Sequence, residues 1–537
     1  MKKESKAESA GGGFISGVFI LSLSTLIVKI IGLAFKIPML SLLGMEGMGY
    51  FNSAYEIYAL LCVVSTAGLP VALSILISSA RALDNNIKII KTYRAALSIF
   101  FIFGAIGTVV MLVFAKPLAS FIGNDDAFYC ILAIAPALLF ICLASAIRGY
   151  CQGFEDMRPT AISQLIEALT KLCFGIFFAL IGIKKGFSVP IISALAVLGV
   201  TLGTVLSLWF LAIAKRKHKK TPINFKNSNG EKASKYYKEL LKIALPITLG
   251  SAIISLTRIV DMALIMRRLQ NIGVSQFRSN EIYGAYTTLA IPIFSLIPSL
   301  ITPISMALIP ELTVFIKRKN LAGQIETVEK SLRLTSLLSM PASLALTVFS
   351  KQILSLLFRG QNEAVEIAAP LLALLGGSVF FSCLITTTNA ILQAYGCVGM
   401  PIFSMTVGVV VKAFTSYFLL GTKGIGEYGA PIGSLACNVT VVLLNFALML
   451  RYAKNTQNAI SISRCFIKPF LASVLSIGAS FAIYAWLVDI IFSELATFLI
   501  VMLAAVLLYS LLVFLFGAVN RDDIKMIPIL KNVVKEK

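Results

Sequence analysis

Charge is scarce in these 537 residues: only 13% are charged, and acids are the scarcer sign, 25 Asp and Glu against 47 Lys and Arg. Histidine is nearly absent. His218 stands alone, which excludes a histidine-based zinc centre and a Ser-His-Asp triad. Nine cysteines are present without one CxxC pair. Cys62, Cys142, Cys173, Cys383 and Cys437 fall inside apolar runs, where a thiol packs as a small hydrophobe. Neither a disulfide framework nor a metal site follows from that spacing. No GxxxxGK[ST] loop, HExxH or GxSxG occurs, so nucleotide binding by a P-loop and the common hydrolase chemistries drop out. The chain therefore reads as a non-enzyme, with no cofactor and no metal.

What is abundant is apolar side chain: 58% of residues, with a mean hydropathy of +0.89. A soluble domain carries about 45–50% apolar and about 25% charged residues, so this chain holds more apolar surface than a water-soluble interior could hide. The net charge of +22 would suggest nucleic acid in a soluble protein. Here the basic residues sit in short loops between apolar runs, which points to anionic membrane lipids instead.

A membrane-crossing helix needs about 20 apolar residues. Fourteen such runs can be read: Phe14–Leu43, Tyr50–Ser79, Ala95–Phe121, Ala127–Ile147, Pro159–Ile183, Val189–Ala214, Ile243–Met266, Tyr283–Leu312, Ser331–Phe358, Val365–Ala394, Pro401–Leu420, Tyr428–Leu450, Cys465–Val488 and Leu495–Phe516. With the N-terminus in the cytoplasm, most Lys and Arg outside the runs fall on the inner side, and only seven fall in the outer loops. That asymmetry predicts both termini inside. The outer loop with Arg267, Arg268 and Arg278 runs against the trend. The longest polar stretch, Lys215–Lys242, holds ten Lys and Arg and divides the chain almost in half; it reads as a solvated linker.

The halves resemble each other. Ala135-Pro136-Ala137-Leu138-Leu139 is echoed by Ala369-Pro370-Leu371-Leu372-Ala373, and Gln152-Gly153…Met157-Arg158-Pro159 by Gln393-Ala394…Met400-Pro401. Lys171 and Lys412 follow at matching distances, and Pro70 matches Pro303. The expected fold is thus an all-α integral membrane protein with 14 transmembrane helices. Two parallel-repeat six-helix bundles are followed by two C-terminal helices: residues 1–214, linker 215–242, residues 243–452, and 453–537. Parallel repeats in transporters place a substrate path between bundles that rock to give alternating access. Pro292, Pro298, Pro303 and Pro310 punctuate one run and suggest a functional bend there.

An ionisable group within a span costs at least about 2.5 kcal/mol and usually faces a cavity or a partner. The candidates are Lys29, Lys36, Glu56, Glu167, Lys171, Arg258, Asp261 and Lys412. Glu167 and Lys171 are four apart and Arg258 and Asp261 three apart, spacings that allow pairing on one helix face. Lys29, Lys36 and Lys412 are then left against Glu56 alone. Lys29 and Lys36 share a face with Ser22 and Thr25. A wet cavity lined this way attracts anions and repels organic cations.

The stretch Arg148-Gly149-Tyr150-Cys151-Gln152-Gly153, with Met157, Pro159-Thr160-Ala161, Ser163-Gln164 and Glu167, resembles the stage V sporulation protein B and MurJ-like polysaccharide-transport branch of the MOP exporter superfamily. Gly47-Met48-Gly49-Tyr50 and Gly68-Leu69-Pro70-Val71-Ala72-Leu73-Ser74 also match its second-helix region. The resemblance implies a flippase in the bacterial cell membrane, with a cell-wall or sporulation role. It would move an undecaprenyl-diphosphate-linked sugar, most notably lipid II, through a cationic cavity. It also implies substrate-binding roles for basic residues of the first helix, here Lys29 and Lys36, joined in this reading by Lys171, Arg258 and Lys412. That branch carries an acid at the head of helix two, where this chain places Tyr50, with Glu56 further in. The alternative is a MATE-type drug or cation antiporter coupled to H+ or Na+. Such chemistry needs an open carboxylate, and Glu56, Glu167 and Asp261 are the candidate coupling acids. Nucleic acid is not an expected partner.

Overall fold

A hydrocarbon environment offers the backbone no hydrogen bonds, so spanning segments must pair their own amides, as helices do. The computed structural model describes residues 2–83, 85–154, 156–216, 233–397, 399–452, 461–488, 490 and 494–518. It is 91% helical, and no strand occurs among the described residues. His218, most of the basic linker and the C-terminal cluster from Arg521 to Lys537 lie outside the described residues.

The α-helices in chain order are α1 Lys2–Thr66, α2 Leu69–Ala82, α3 Asn86–Val113, α4 Ala115–Ile122, α5 Phe128–Gly153, α6 Arg158–Lys184, α7 Val189–Arg216, α8 Ala233–Asn271, α9 Gln276–Ala285, α10 Ile291–Lys317, α11 Leu321–Val348, α12 Ser350–Leu357, α13 Asn362–Ala394, α14 Gly399–Leu420, α15 Gly429–Tyr452, α16 Lys468–Leu487 and α17 Glu494–Leu515. Among the described residues, 13 helical segments are long and apolar enough to cross a membrane. The first of them, Leu23–Arg81, has 59 residues and holds two of the fourteen runs read from the sequence. At 1.5 Å per residue it would be nearly three bilayer cores long if straight. It breaks at Gly44, whose φ of 67° and ψ of −178° suit only glycine. Residues 23–43 before the break number 21 and residues 45–66, from the break to the end of α1, number 22, one crossing apiece.

Two runs expected to be single spans are also divided. The run to Phe121 stops at Val113 and resumes as the eight-residue α4; the run to Phe358 stops at Val348 and resumes as the eight-residue α12. The breaking residues, Phe114 and Phe349, share one conformation (φ −97° and −103°, ψ 14° and 23°). Each short helix carries an exposed lysine at its second position, Lys116 or Lys351. The internal repeat thus extends to a broken helix in each half.

The chain packs as two compact units, Met1–Thr288 with Leu420–Glu427, and Leu289–Leu419 with Tyr428–Lys537. In the first, α1 runs along α5, α6, α8 and α9, and α7 packs on α5 and α6. In the second, α13 is central, packed by α10, α11 and α15, with a core that includes Leu312, Leu332, Ile391, Val442 and Met449. Side-chain polarity runs opposite to that of a soluble protein. Phe101, Ile106, Leu503 and Leu507 are exposed, while Thr335, Ser336 and Ser339 are fully buried and donate back to the carbonyls of Ser331, Leu332 and Thr335. Small hydroxyl residues satisfied on their own helix allow close helix packing, and the large apolar side chains remain for lipid. The protein is a multi-pass membrane protein.

Between α9 and α10 the backbone widens into a π turn, Tyr286–Ala290. From Ile291 the helix runs to Lys317 without a break at Pro298, Pro303 or Pro310. The departure from α geometry expected in this run therefore lies ahead of Pro292. In a π turn each carbonyl turns to the amide five residues on, and for Thr287 that residue is Pro292, which has no N–H.

A charged cluster in the first unit

The freed Thr287 carbonyl is met by Lys36. Its Nζ donates to Thr287 O at 2.6 Å, and Asn52 Nδ2, also on α1, donates to Thr287 Oγ1 at 2.9 Å and Thr288 Oγ1 at 2.8 Å. Lys36 thus points into the protein interior, where Lys171, Glu56 and Arg258 are close enough to interact with it electrostatically. Lys29 interacts likewise with Arg258, and Glu56 with Asp261. Seven of the eight ionisable candidates, Lys29, Lys36, Lys171, Arg258, Glu56, Asp261 and Glu167, therefore belong to the first unit. Lys412, 7% exposed, lies in the second.

One of the pairs drawn from helical spacing gives way to a pair between helices. Glu167 Oε2 binds Arg148 Nη2 at 3.0 Å rather than Lys171 one turn away; the same guanidinium donates to Ser163 Oγ and Ser207 Oγ, both at 3.0 Å. A planar fork serves three acceptors on α6 and α7 at once, which a lysine cannot match. Arg258 Nη1 stands 3.9 Å from Glu56 Oε2, so Glu56 is not solitary. Lys171 instead places its ammonium over the rings of Phe35, Phe51 and Tyr55, at 4.8, 5.4 and 4.6 Å from their centroids. All three lie within the roughly 6 Å reach of a cation–π interaction.

At the Gly44 break within α1, the acid in the first turn that follows is Glu46. Tyr50 donates its hydroxyl to Glu46 Oε1 at 2.8 Å, with Asp126 Oδ2 at 3.4 Å. Asn280 Nδ2 donates to the Glu46 carbonyl at 2.8 Å, and Asn124 Nδ2 donates to Asn280 Oδ1 at 3.0 Å and Ser53 Oγ at 3.1 Å. Two of the motifs read from the sequence meet in space. A methyl on Gly149 would lie 2.8 Å from Pro70 O, and one on Gly153 would lie 2.7 Å from Ile77 Cβ. The Arg-Gly-Tyr-Cys-Gln-Gly stretch is thus the crossing of α5 over α2 that aims Arg148 at Glu167. Reading residues one at a time missed Arg148, the three rings, Asn52 and Glu46. Arg148 was signalled by its motif; the rings look like ordinary apolar residues of a span.

The cluster holds five basic groups (Lys29, Lys36, Lys171, Arg258 and Arg148) against three acids, on helices that span a membrane. Together with the repeated helix plan, these buried charges are the make-up of a membrane transporter. The chain belongs to the polysaccharide biosynthesis protein family, whose model matches residues 14–315, and a MatE model matches residues 246–418; both lie within the MOP superfamily of transporters. Stage V sporulation protein B of Bacillus subtilis (strain 168) is 26% identical over 544 residues, covering 97% of this chain and 99% of that one. Lipid II flippase MurJ of the same organism is 24% identical, covering 86% of this chain and 87% of its own length. A solved structure of lipid II flippase MurJ in an inward closed conformation shares the fold with a TM-score of 0.71, 17% identity, and coverage of 93% and 98%. An inward-facing multidrug resistance MATE family transporter of the MOP superfamily has a TM-score of 0.63 at 14% identity, with coverage of 81% and 99%.

Proposed function

We propose that this protein is a flippase that moves an undecaprenyl-diphosphate-linked cell-wall or polysaccharide precursor, lipid II foremost, to the outer leaflet of the bacterial plasma membrane by alternating access, with both termini cytoplasmic. The observation that carries the reading is the surplus of cations gathered around α1, with Lys36 held inward rather than toward lipid. A diphosphate crossing a low-dielectric region needs such groups, because each unit of uncompensated charge is costly there. Lys29, Lys36, Lys171 and Arg258 are its proposed contacts, and Lys412 is the proposed counterpart in the second unit. A membrane potential negative inside assists an anion on its way out by about 2.3 kcal/mol per charge per 100 mV.

The rival drug-antiporter reading is disfavoured by the ion pairs. Glu56 and Glu167 each face an arginine, so neither is an open carboxylate for an organic cation. Glu56, Glu167 and Asp261 stay candidates for H+ or Na+ coupling.

The test is reconstitution of the purified chain in proteoliposomes with labelled lipid II, reading its exposure in the opposite leaflet. Wild type is expected to expose it, and Lys29→Ala/Lys36→Ala to slow exposure at least tenfold at equal protein level. No exposure by wild type would refute the substrate; an unimpaired double variant would refute the site.

A further inference from the structure

The three rings over Lys171 come from both sides of the Gly44 break, Phe35 before it and Phe51 and Tyr55 after it. Phe35 and Phe51 have centroids 5.7 Å apart at 47°, and Phe51 and Tyr55 lie 6.3 Å apart, nearly parallel at 15°. They therefore present several π faces to one point, the arrangement that recognises alkylammonium ions. Lys171 arrives from α6. Gly175, one turn along, lets the Phe35 ring lie against α6: a methyl there would be 2.9 Å from Phe35 Cε2. Glu167, the nearest carboxylate in sequence, is committed to Arg148.

We propose that Phe35, Phe51 and Tyr55 form a binding box for an alkylammonium head, that Lys171 is its resident occupant, and that this tethered cation denies the box to free organic cations. Lys171 is then a specificity-determining residue. Its charge contributes to the surplus that draws anions, and its ammonium fills the place where a competing cation would sit. On the flippase reading this explains how a fold shared with a multidrug transporter discriminates by charge. The box itself does not depend on that reading.

The probe is labelled tetramethylammonium, measured by equilibrium dialysis against the detergent-purified full chain. Wild type and Lys171→Arg are expected to bind it weakly and alike. Lys171→Ala is expected to bind at least tenfold more tightly than wild type, and Lys171→Ala/Tyr55→Leu to lose most of that gain. Binding by Lys171→Ala equal to wild type, or a gain that survives removal of Tyr55, overturns the proposal. A second measurement needs no change at Lys171. Acylation of its amine, followed by peptide mass spectrometry, is expected to be at least fivefold faster in Tyr55→Leu than in wild type, and equal rates overturn the box. Failure of either measurement leaves the lipid-exposure assay untouched, so the two readings fall separately.

Discussion

The lysine helix occurs twice, and the two copies share the lysine and its packing register but differ in the groups set around them. In the first unit α6 carries Glu167, Lys171 and Gly175 against Gly199 and Gly203 of α7; in the second α14 carries Gly408, Lys412 and Ser416 against Gly433 and Cys437 of α15. The register is the same. A methyl on Gly199 would lie 3.1 Å from Lys171 O, and one on Gly433 would lie 3.3 Å from Lys412 O. On the preceding helix the matched glutamines, Gln152 and Gln393, bring Arg148 into line with Asn389. Arg148 ties Glu167 and Ser207, whereas Asn445 Nδ2 donates to Asn389 Oδ1 at 2.8 Å. One repeat has kept a charged node and the other a neutral amide pair. The common frame is therefore helix packing, with a charged pair set on it in the first unit and an amide pair in the second.

The largest effect should come from the charged node. Arg148→Ala leaves Glu167 without its partner in a low-dielectric setting and should cost about 3 kcal/mol, read as a drop in thermal unfolding midpoint of the purified protein. Arg148→Ala/Glu167→Gln should recover more than half, and Asn389→Ala in the neutral copy should cost only about 1 kcal/mol. Equal losses at Arg148 and Asn389 would erase the distinction between the copies. Next comes Gly199→Ala. Its methyl would sit 2.5 Å from Gly175 N and 2.7 Å from Gly175 Cα, backbone that cannot step aside, so about 2 kcal/mol should be lost. The smallest is Gly433→Ala, which meets the Ser416 side chain, a movable hydroxyl. It should cost less than about 1 kcal/mol, and Gly433→Ala/Ser416→Gly should restore the wild-type midpoint. A Gly433→Ala loss as large as that at Gly199, with no rescue, would show that the two copies do not pack alike.

Much of this was legible in the chain itself. Length of apolar run is a one-dimensional property set by bilayer thickness, so helix class and the approximate number of spans could be read directly. The Lys171–Lys412 correspondence could be read too, since a repeat is a property of order along the chain. Which groups partner each other could not. Helical spacing offered Glu167 to Lys171 because it sees one helix at a time, whereas Arg148 lies 19 residues away from Glu167 and reaches it across a helix interface. The break at Phe114 and its twin at Phe349 was hidden because an apolar run stays apolar whether or not the helix continues.

By itself, then, the order of residues determined that the chain is helical, membrane-spanning, duplicated and rich in cations within its spans, because hydrophobicity and periodicity need no partner to be expressed. Tertiary structure alone decided that Lys171 faces aromatic rings, that Lys36 holds the Thr287 carbonyl freed by a π turn ahead of Pro292, and that Glu56 and Glu167 are claimed by arginines. Those are choices among competing neighbours, and they are made only when helices distant in sequence come within a few ångströms of each other.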